Sequence, residues 1–135
     1  KTQGLVSLIQ KLNIKKHFIF LGPLSRQESL KLIAKSTLTV IPSKLESFGL
    51  TYFEALALGC PIVASDLEFV KEACGDTALY AHPDDAKSFA QQCKRLLQSE
   101  SLRQEMISKG KQEVKKHYKP WSQTANSFME ILKTV

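Results

Sequence analysis

Short apolar runs that alternate with helical stretches constrain the fold of this 135-residue chain more than any other feature. The runs are HFIFL at 17–21, TLTVI at 37–41, PIVAS at 61–65 and TALYA at 77–81. Since nearly every position in them is apolar, rather than every second one, they are typical of parallel strands covered on both faces. The pattern predicts an α/β fold, a Rossmann-like parallel sheet with helices on both faces.

The intervening segments have helical signatures. Leu5, Leu8, Ile9 and Leu12 follow three-and-four spacing, and Ser25 with Glu28 forms a capping-box sequence. We expect helices near 5–12, 25–34, 49–58, 67–74, 84–98, 101–117 and 120–132, the last two forming a helical carboxyl-terminal tail.

Length and composition predict one domain spanning residues 1–135, because 43% hydrophobic residues suffice for a single core. The sequence contains neither an apolar run of the roughly 18 to 20 residues that cross a bilayer nor a cleavable leader, so we expect a cytoplasmic protein. It begins at Lys1, and no strand with a glycine-rich turn precedes Leu5. We therefore expect the first strand and turn of the domain to belong to a longer protein.

Cysteine and histidine usage argues against a metal site. Cys60, Cys74 and Cys93 are odd in number and form no CxxC pair, so buried reduced thiols are expected. The three histidines are widely separated and match no metal or nucleophile template.

The net charge of +6 is densest in the segment 109–119, which carries five lysines. Helical spacing distributes these lysines around the circumference, which favours a solvated surface. Contact with an anionic membrane or an acidic substrate is the alternative, and nucleic acid is not expected.

The most informative chemistry follows the second apolar run, because ligands of doubly wound folds bind beyond the carboxyl ends of the strands. A helix starting at Gly49 would direct the N–H groups of Phe48, Gly49, Leu50 and Thr51 and its positive dipole end at the crevice, which suits a phosphate.

Glu46 precedes these amides, and Glu54 lies one to two turns inside the helix. Because the residues around Glu54 are apolar, we expect a buried helix whose carboxylate has a strong partner; a backbone N–H or a lysine is the purely structural alternative. Two carboxylates flanking N–H donors match a ligand with hydroxyls at both ends of a diphosphate. A sugar nucleotide fits this description, although the residues alone do not require it.

Two glutamates separated by seven residues, within PSKLESFGLTYFEALALGCPIVAS, resemble the signature of retaining GT-B glycosyltransferases of family 4, the glycosyl transferases group 1. The upstream FIFLGPLSRQESLKLIAKSTLTVIPS, the block around Glu72 and 78–83, and the tail through Tyr118 and Trp121 also have counterparts in that family. The resemblance covers nearly the whole chain.

The resemblance implies a role for each matching residue. Glu46 would contact the hydroxyls of the transferred sugar and orient it, as the catalytic candidate, and Glu54 would bind the ribose. The amides of 48–51 would hold the diphosphate and sugar. Gly22, Pro23 and Leu24 would lie beside the base, although a plain strand-ending turn explains Gly22-Pro23 equally well.

The family transfers a hexose from a nucleoside diphosphate sugar to a glycan or lipid acceptor, so the resemblance implies a donor-binding domain that uses neither metal nor cofactor. The implied location is cytoplasmic, with a peripheral position at the inner membrane face. The family's basic pair and its acceptor-binding domain belong to parts not found in this sequence, so we expect the chain alone to be inactive. A nucleotide-sugar epimerase or phosphorylase of the same architecture, and a non-catalytic basic α/β module, are the alternatives.

Overall fold

The computed structural model describes residues 2–47, 49–117, 126, 129, 130 and 133. Three strands alternate with helices along the chain. The elements are α1 (Thr2–Lys11), a 3₁₀ turn (Lys15–His17), α2 (Arg26–Lys35), β1 (Thr39–Ile41), α3 (Leu50–Ala57), β2 (Ile62–Ser65), α4 (Glu68–Cys74), β3 (Ala78–Ala81), α5 (Ala86–Gln98) and α6 (Glu100–His117).

The strands form one parallel sheet in the order β1-β2-β3. Ile62 of β2 is in register with Thr39 on one side and with Ala78 on the other. Because all three strands run in one direction, their carboxyl ends meet at the same edge of the sheet. The loops that begin after Ile41, Ser65 and Ala81 therefore lie near one another.

Helices cover both faces of this sheet, as the apolar runs predict. On one face, buried side chains of α3 and α4, among them Leu56 and Val70, pack in one cluster with Ile62. On the other face, Leu96 of α5 and Met106 of α6 pack against Val63. Each fully buried aliphatic side chain of this kind stabilises the fold by roughly 1.5 to 3 kcal/mol.

Helix α6 packs closely against α3 because it carries a glycine at the contact. A Cβ on Gly110 would lie 2.9 Å from Cδ2 of Leu56. A glycine at this position therefore lets the two helices approach each other closely.

The strand predicted at His17–Leu21 is wrong. The segment instead contains the 3₁₀ turn and an irregular stretch, and the side chains of Phe18, Ile19, Phe20 and Leu21 are exposed. A strand needs a neighbour for its N–H and C=O groups. The described part of this chain places no strand beside the segment, so its β-rich composition is not sufficient.

The helix predictions agree with the structure within a few residues, except for 120–132, which lies outside the described residues apart from isolated positions. Ser25 and Glu28 form the predicted capping box, with Ser25 N–H donating to Glu28 Oε2 at 2.8 Å. The three cysteines are free thiols; Cys60 and Cys74 are buried and Cys93 is half-buried.

The prediction that α3 is buried on all sides is also wrong. Tyr52, Ala55 and Leu56 are buried, but Leu50 is 53% exposed. One face of α3 packs on the sheet and α6, and the other faces outward.

Candidate functional site

The start of α3 lies just beyond the carboxyl end of β1. Its N-cap residue, Gly49, has φ 66° and ψ 36°, the left-handed conformation, and no side chain of the described residues caps the helix. Helix α4 likewise has no side-chain cap at Leu67, whereas α2 and α5 are capped by Ser25 and Asp85. Because Gly49 has no side chain, it offers no capping acceptor to the first turn of α3, and such an open helix start suits an anion.

Glycine at 49 is required by contact as well as by backbone conformation. A Cβ there would lie 2.7 Å from Cδ2 and 2.9 Å from Cε2 of Tyr52. The Tyr52 ring is buried, with 1% exposed, so it has little room to move. The buried ring and the left-handed backbone together fix the entry into α3.

Glu46 lies on the exposed loop before α3. Ser43 Oγ donates a hydrogen bond of 2.6 Å to Oε1 of Glu46 and orients the carboxylate. The carboxylate borders a cleft of about 270 Å³ whose other lining residues are Ser47, Phe53, Phe69, Glu72 and Ala73. Aromatic rings beside carboxylates form a surface that suits a sugar, since rings contact its C–H face and carboxylates accept its hydroxyls.

Glu54 is partly shielded, with 22% of its side chain exposed, and its Oε1 lies 3.1 Å from Nη2 of Arg26. The structure therefore gives Glu54 the strong partner that its apolar neighbours predict. The partner is an arginine from α2 rather than the backbone N–H or lysine considered from the sequence.

The same ion pair places the start of α2 beside α3. Gly22, Pro23 and Leu24 form the exposed loop that leads into α2, and Gly22 has a left-handed φ of 67°. This loop and Glu54 thus lie on one side of the molecule. Phe48, the remaining predicted site residue, lies outside the described residues.

A second ion pair links two loops at the carboxyl edge of the sheet. Lys44, after β1, contacts Asp84, after β3. The hydrogen bond and the charge of Lys44 lower the pKa of the Asp84 carboxyl. The pair holds the loop that carries Glu46 against the loop before α5.

Two buried hydroxyls at this end of the sheet have no hydrogen-bond partner among the described residues: those of Tyr52 and Ser65. Burial raises the pKa of the Tyr52 phenol, and the nearby Glu46 and Cys74 raise it further. Tyr52 therefore remains a neutral packing residue beneath the loop that precedes α3.

The lysine-rich segment is partly neutralised. Lys109 pairs with Asp76 at 3.3 Å and with Glu105 at 2.9 Å, and Lys116 pairs with Glu113 at 3.0 Å. This pairing agrees with the solvated surface favoured by the sequence. Among the described residues, no group of three or more metal-ligating side chains could hold a metal ion.

Sequence reasoning missed Arg26 as a neighbour of Glu54. One signal was present: Arg26 follows the capping serine directly and is the first residue of α2. A cation in the first turn of a helix is disfavoured by the helix dipole, so an arginine there suggests a partner elsewhere.

Comparison with known proteins defines the class of protein to which this chain belongs. The fold is of the GT-B type: it superposes on sucrose-phosphate synthase from Thermosynechococcus elongatus with a TM-score of 0.85 and 22% identity, over 98% of this chain and 35% of that one. The family model for glycosyl transferases group 1 matches residues 1–113. The chain belongs to this glycosyltransferase family.

Two curated relatives support the same family assignment. The O-antigen chain mannosyltransferase RfbU of Salmonella typhimurium is 34% identical over 70% of this chain, and the N-acetyl-alpha-D-glucosaminyl L-malate synthase of Bacillus anthracis is 30% identical over 85%. The matched regions span 27% and 30% of those relatives, so the chain covers less than a third of their length. No helix in the described part of the chain combines the length and apolar content of a membrane span.

Proposed function

We propose that this chain is the donor-binding part of a retaining glycosyltransferase that transfers a hexose from a nucleoside diphosphate sugar to a glycan or lipid acceptor. The observation that carries the proposal is the uncapped, left-handed start of α3, with Glu46 before it and Glu54 inside it. The named activities of the relatives, a mannosyltransferase and an N-acetylglucosaminyl malate synthase, support a hexose donor.

Each part of the donor has a counterpart in this arrangement. The amides of Gly49, Leu50 and Thr51 face the diphosphate, with Phe48 completing the set expected from the family. Glu54 accepts the ribose hydroxyls, and the loop of Gly22, Pro23 and Leu24 borders the base. Glu46 accepts hydroxyls of the sugar in the cleft beside Phe53.

The chemistry follows from these positions. The bond between the sugar C1 and the diphosphate oxygen breaks, and a bond from C1 to the acceptor oxygen forms on the same face. The acceptor's proton passes to the leaving phosphate. Fixed amide dipoles stabilise the departing charge, and Glu46 orients the sugar without attacking it. In this proposal the reaction uses neither a metal nor a cofactor, since the nucleotide sugar is a substrate.

Two exposed apolar features support the idea that further strands complete the domain. Val40 on β1, an outer strand of the three-stranded sheet, is 43% exposed. The apolar segment Phe18–Leu21 is exposed and has no neighbouring strand among the described residues. In the order 3-2-1-4-5-6 of doubly wound folds, two strands separate the third from the fourth. With Phe18–Leu21 as the third strand of this order and β1 as the fourth, two strands contributed by a longer protein would fit between them.

In this proposal the basic pair for the diphosphate and the acceptor site belong to the complete protein, which works in the cytoplasm, with a peripheral position at the inner membrane face. The 135-residue chain alone then binds donors weakly and transfers no sugar. Sugar transfer by the purified chain would contradict this part of the proposal.

Substitutions at the two glutamates test the proposal in the complete protein. Glu54→Gln should raise the donor KM about tenfold, because a neutral amide accepts hydroxyl hydrogen bonds less strongly than a carboxylate. Glu46→Ala should lower kcat while the unfolding midpoint changes little, since Glu46 is exposed.

Glu113→Gln is the matched control. Its side chain is 19% exposed and its carboxylate pairs with Lys116 at 3.0 Å, which resembles the 22% exposure and the 3.1 Å pair of Glu54. Wild-type kinetics for Glu113→Gln with altered kinetics for the other two support the proposal. Wild-type kinetics for all three contradict it.

A further inference from the structure

The Arg26–Glu54 ion pair adds a positive charge to the proposed donor site that the assignments above do not use. Its two members differ in exposure: 22% of the Glu54 side chain is accessible, compared with 73% for Arg26. The carboxylate is therefore held inward, and the guanidinium faces solvent beside it.

Arg26 is held in place locally. It is the first residue of α2, and the capping box between Ser25 and Glu28 fixes the turn that carries it. The positive end of the helix dipole disfavours a cation at this position. Glu28 is engaged with Ser25 N–H at 2.8 Å and with Ser25 Oγ at 2.6 Å, so the contact that compensates Arg26 is the one to Glu54 on another helix.

The ion pair leaves part of Glu54 available. Arg26 Nη2 contacts Oε1, and a carboxylate offers about four acceptor positions on its two oxygens. Leu50 and Glu54 are separated by about 6 Å of helix rise, which places the pair near the amides at the start of α3. A bare carboxylate this close to a diphosphate would repel it.

We propose that Arg26 is a positioning residue for the nucleotide half of the donor. It occupies Oε1 of Glu54, leaves Oε2 to the ribose diol, and offsets the Glu54 charge next to the diphosphate. This inference rests on the proposed function, since it assumes that Glu54 binds ribose.

The test measures the Kd of UDP, GDP and ADP for the complete protein by calorimetry at low and high salt, together with the donor KM and kcat. The variants are Arg26→Gln, Arg26→Lys and Glu54→Gln. Lys31→Gln is the control, because Lys31 is an exposed cation of the same helix that forms no ion pair with the described residues. For the nucleotide that binds wild type best, Arg26→Gln should raise the Kd about three- to tenfold, the effect of losing one charge-assisted contact at an exposed site.

Further results should separate positioning from a purely structural role. Arg26→Lys should give an intermediate Kd, because it keeps the charge but loses the planar fork. The Arg26→Gln variant should show a weaker salt dependence of binding than wild type, with KM changed more than kcat. The effects of Arg26→Gln and Glu54→Gln should not add in the double variant, because the two residues act as a pair.

The outcomes distinguish this inference from the function it assumes. If Glu54→Gln weakens binding while Arg26→Gln matches Lys31→Gln or binds more tightly, the role of Arg26 is wrong and the donor site stands. If neither Arg26→Gln nor Glu54→Gln changes the Kd, both the inference and the proposed function are wrong.

Discussion

Replacing Gly49 by alanine tests the geometry at the start of α3 directly. The left-handed backbone at φ 66° costs a residue with a Cβ about 1 to 2 kcal/mol. The new Cβ would also lie 2.7 Å from Cδ2 of Tyr52, whereas carbon atoms normally stay about 3.5 to 4.0 Å apart. Since Tyr52 is buried, this overlap adds the cost of overpacking, about 1 to 3 kcal/mol.

Gly22→Ala is the matched control, because it shares the backbone strain without the contact. Gly22 has φ 67°, and a Cβ there would meet nothing within 4 Å. Urea unfolding of both variants should therefore show a loss of about 1 to 2 kcal/mol for Gly22→Ala. The loss for Gly49→Ala should be about 2 to 5 kcal/mol, the sum of strain and overpacking.

The difference between the two variants isolates the contact with Tyr52. At roughly 4 °C per kcal/mol for a chain of this size, their melting temperatures should differ by about 4 to 12 °C. Equal losses, or a larger loss for Gly22→Ala, would refute the close packing of Gly49 on Tyr52.

Three further predictions concern stability and activity. Burial raises the pKa of the Cys74 thiol from 9.0 to about 12, so its contribution to stability is complete below pH 9 and is lost as pH rises from 9 towards 12. Thermal unfolding should show Tm falling over this range, and less steeply for Cys74→Ala; equal slopes would contradict the assignment. Ser25→Ala should lower the unfolding free energy by about 1 kcal/mol through loss of the N-cap, measured by urea unfolding, and an unchanged value would show that the cap is dispensable. A radiolabelled-sugar transfer assay on the 135-residue chain should detect no product; transfer would show that the chain needs no further domain.

The sequence predicted three of its four strands correctly because those strands have neighbours within the chain. TLTVI, PIVAS and TALYA pair with one another in register. HFIFL has the same apolar, β-rich composition but no adjacent strand in the described structure. Composition reports the tendency to form a strand, whereas hydrogen-bonding partners decide whether one forms.

The candidate site was predictable where local spacing determines it. The loop position of Glu46, the helix start at Gly49 and the inward placement of Glu54 follow from the order of residues along one loop and one helix. The Arg26–Glu54 pair was not predictable in this way, because it joins two helices that only the tertiary fold brings together. The outward face of α3 was missed for the same reason, since packing partners rather than composition decide which side is covered.

The central claim is that the start of α3 holds the diphosphate of a nucleotide sugar. The most direct measurement is a nuclear magnetic resonance titration of the isotope-labelled chain with UDP, GDP or ADP at millimolar concentration, which reports each backbone amide separately. The largest shifts should occur at the amides of residues 49–54. No shift with any of the three nucleotides, or shifts confined to the lysine-rich part of α6 from Lys109 to Lys116, would contradict it.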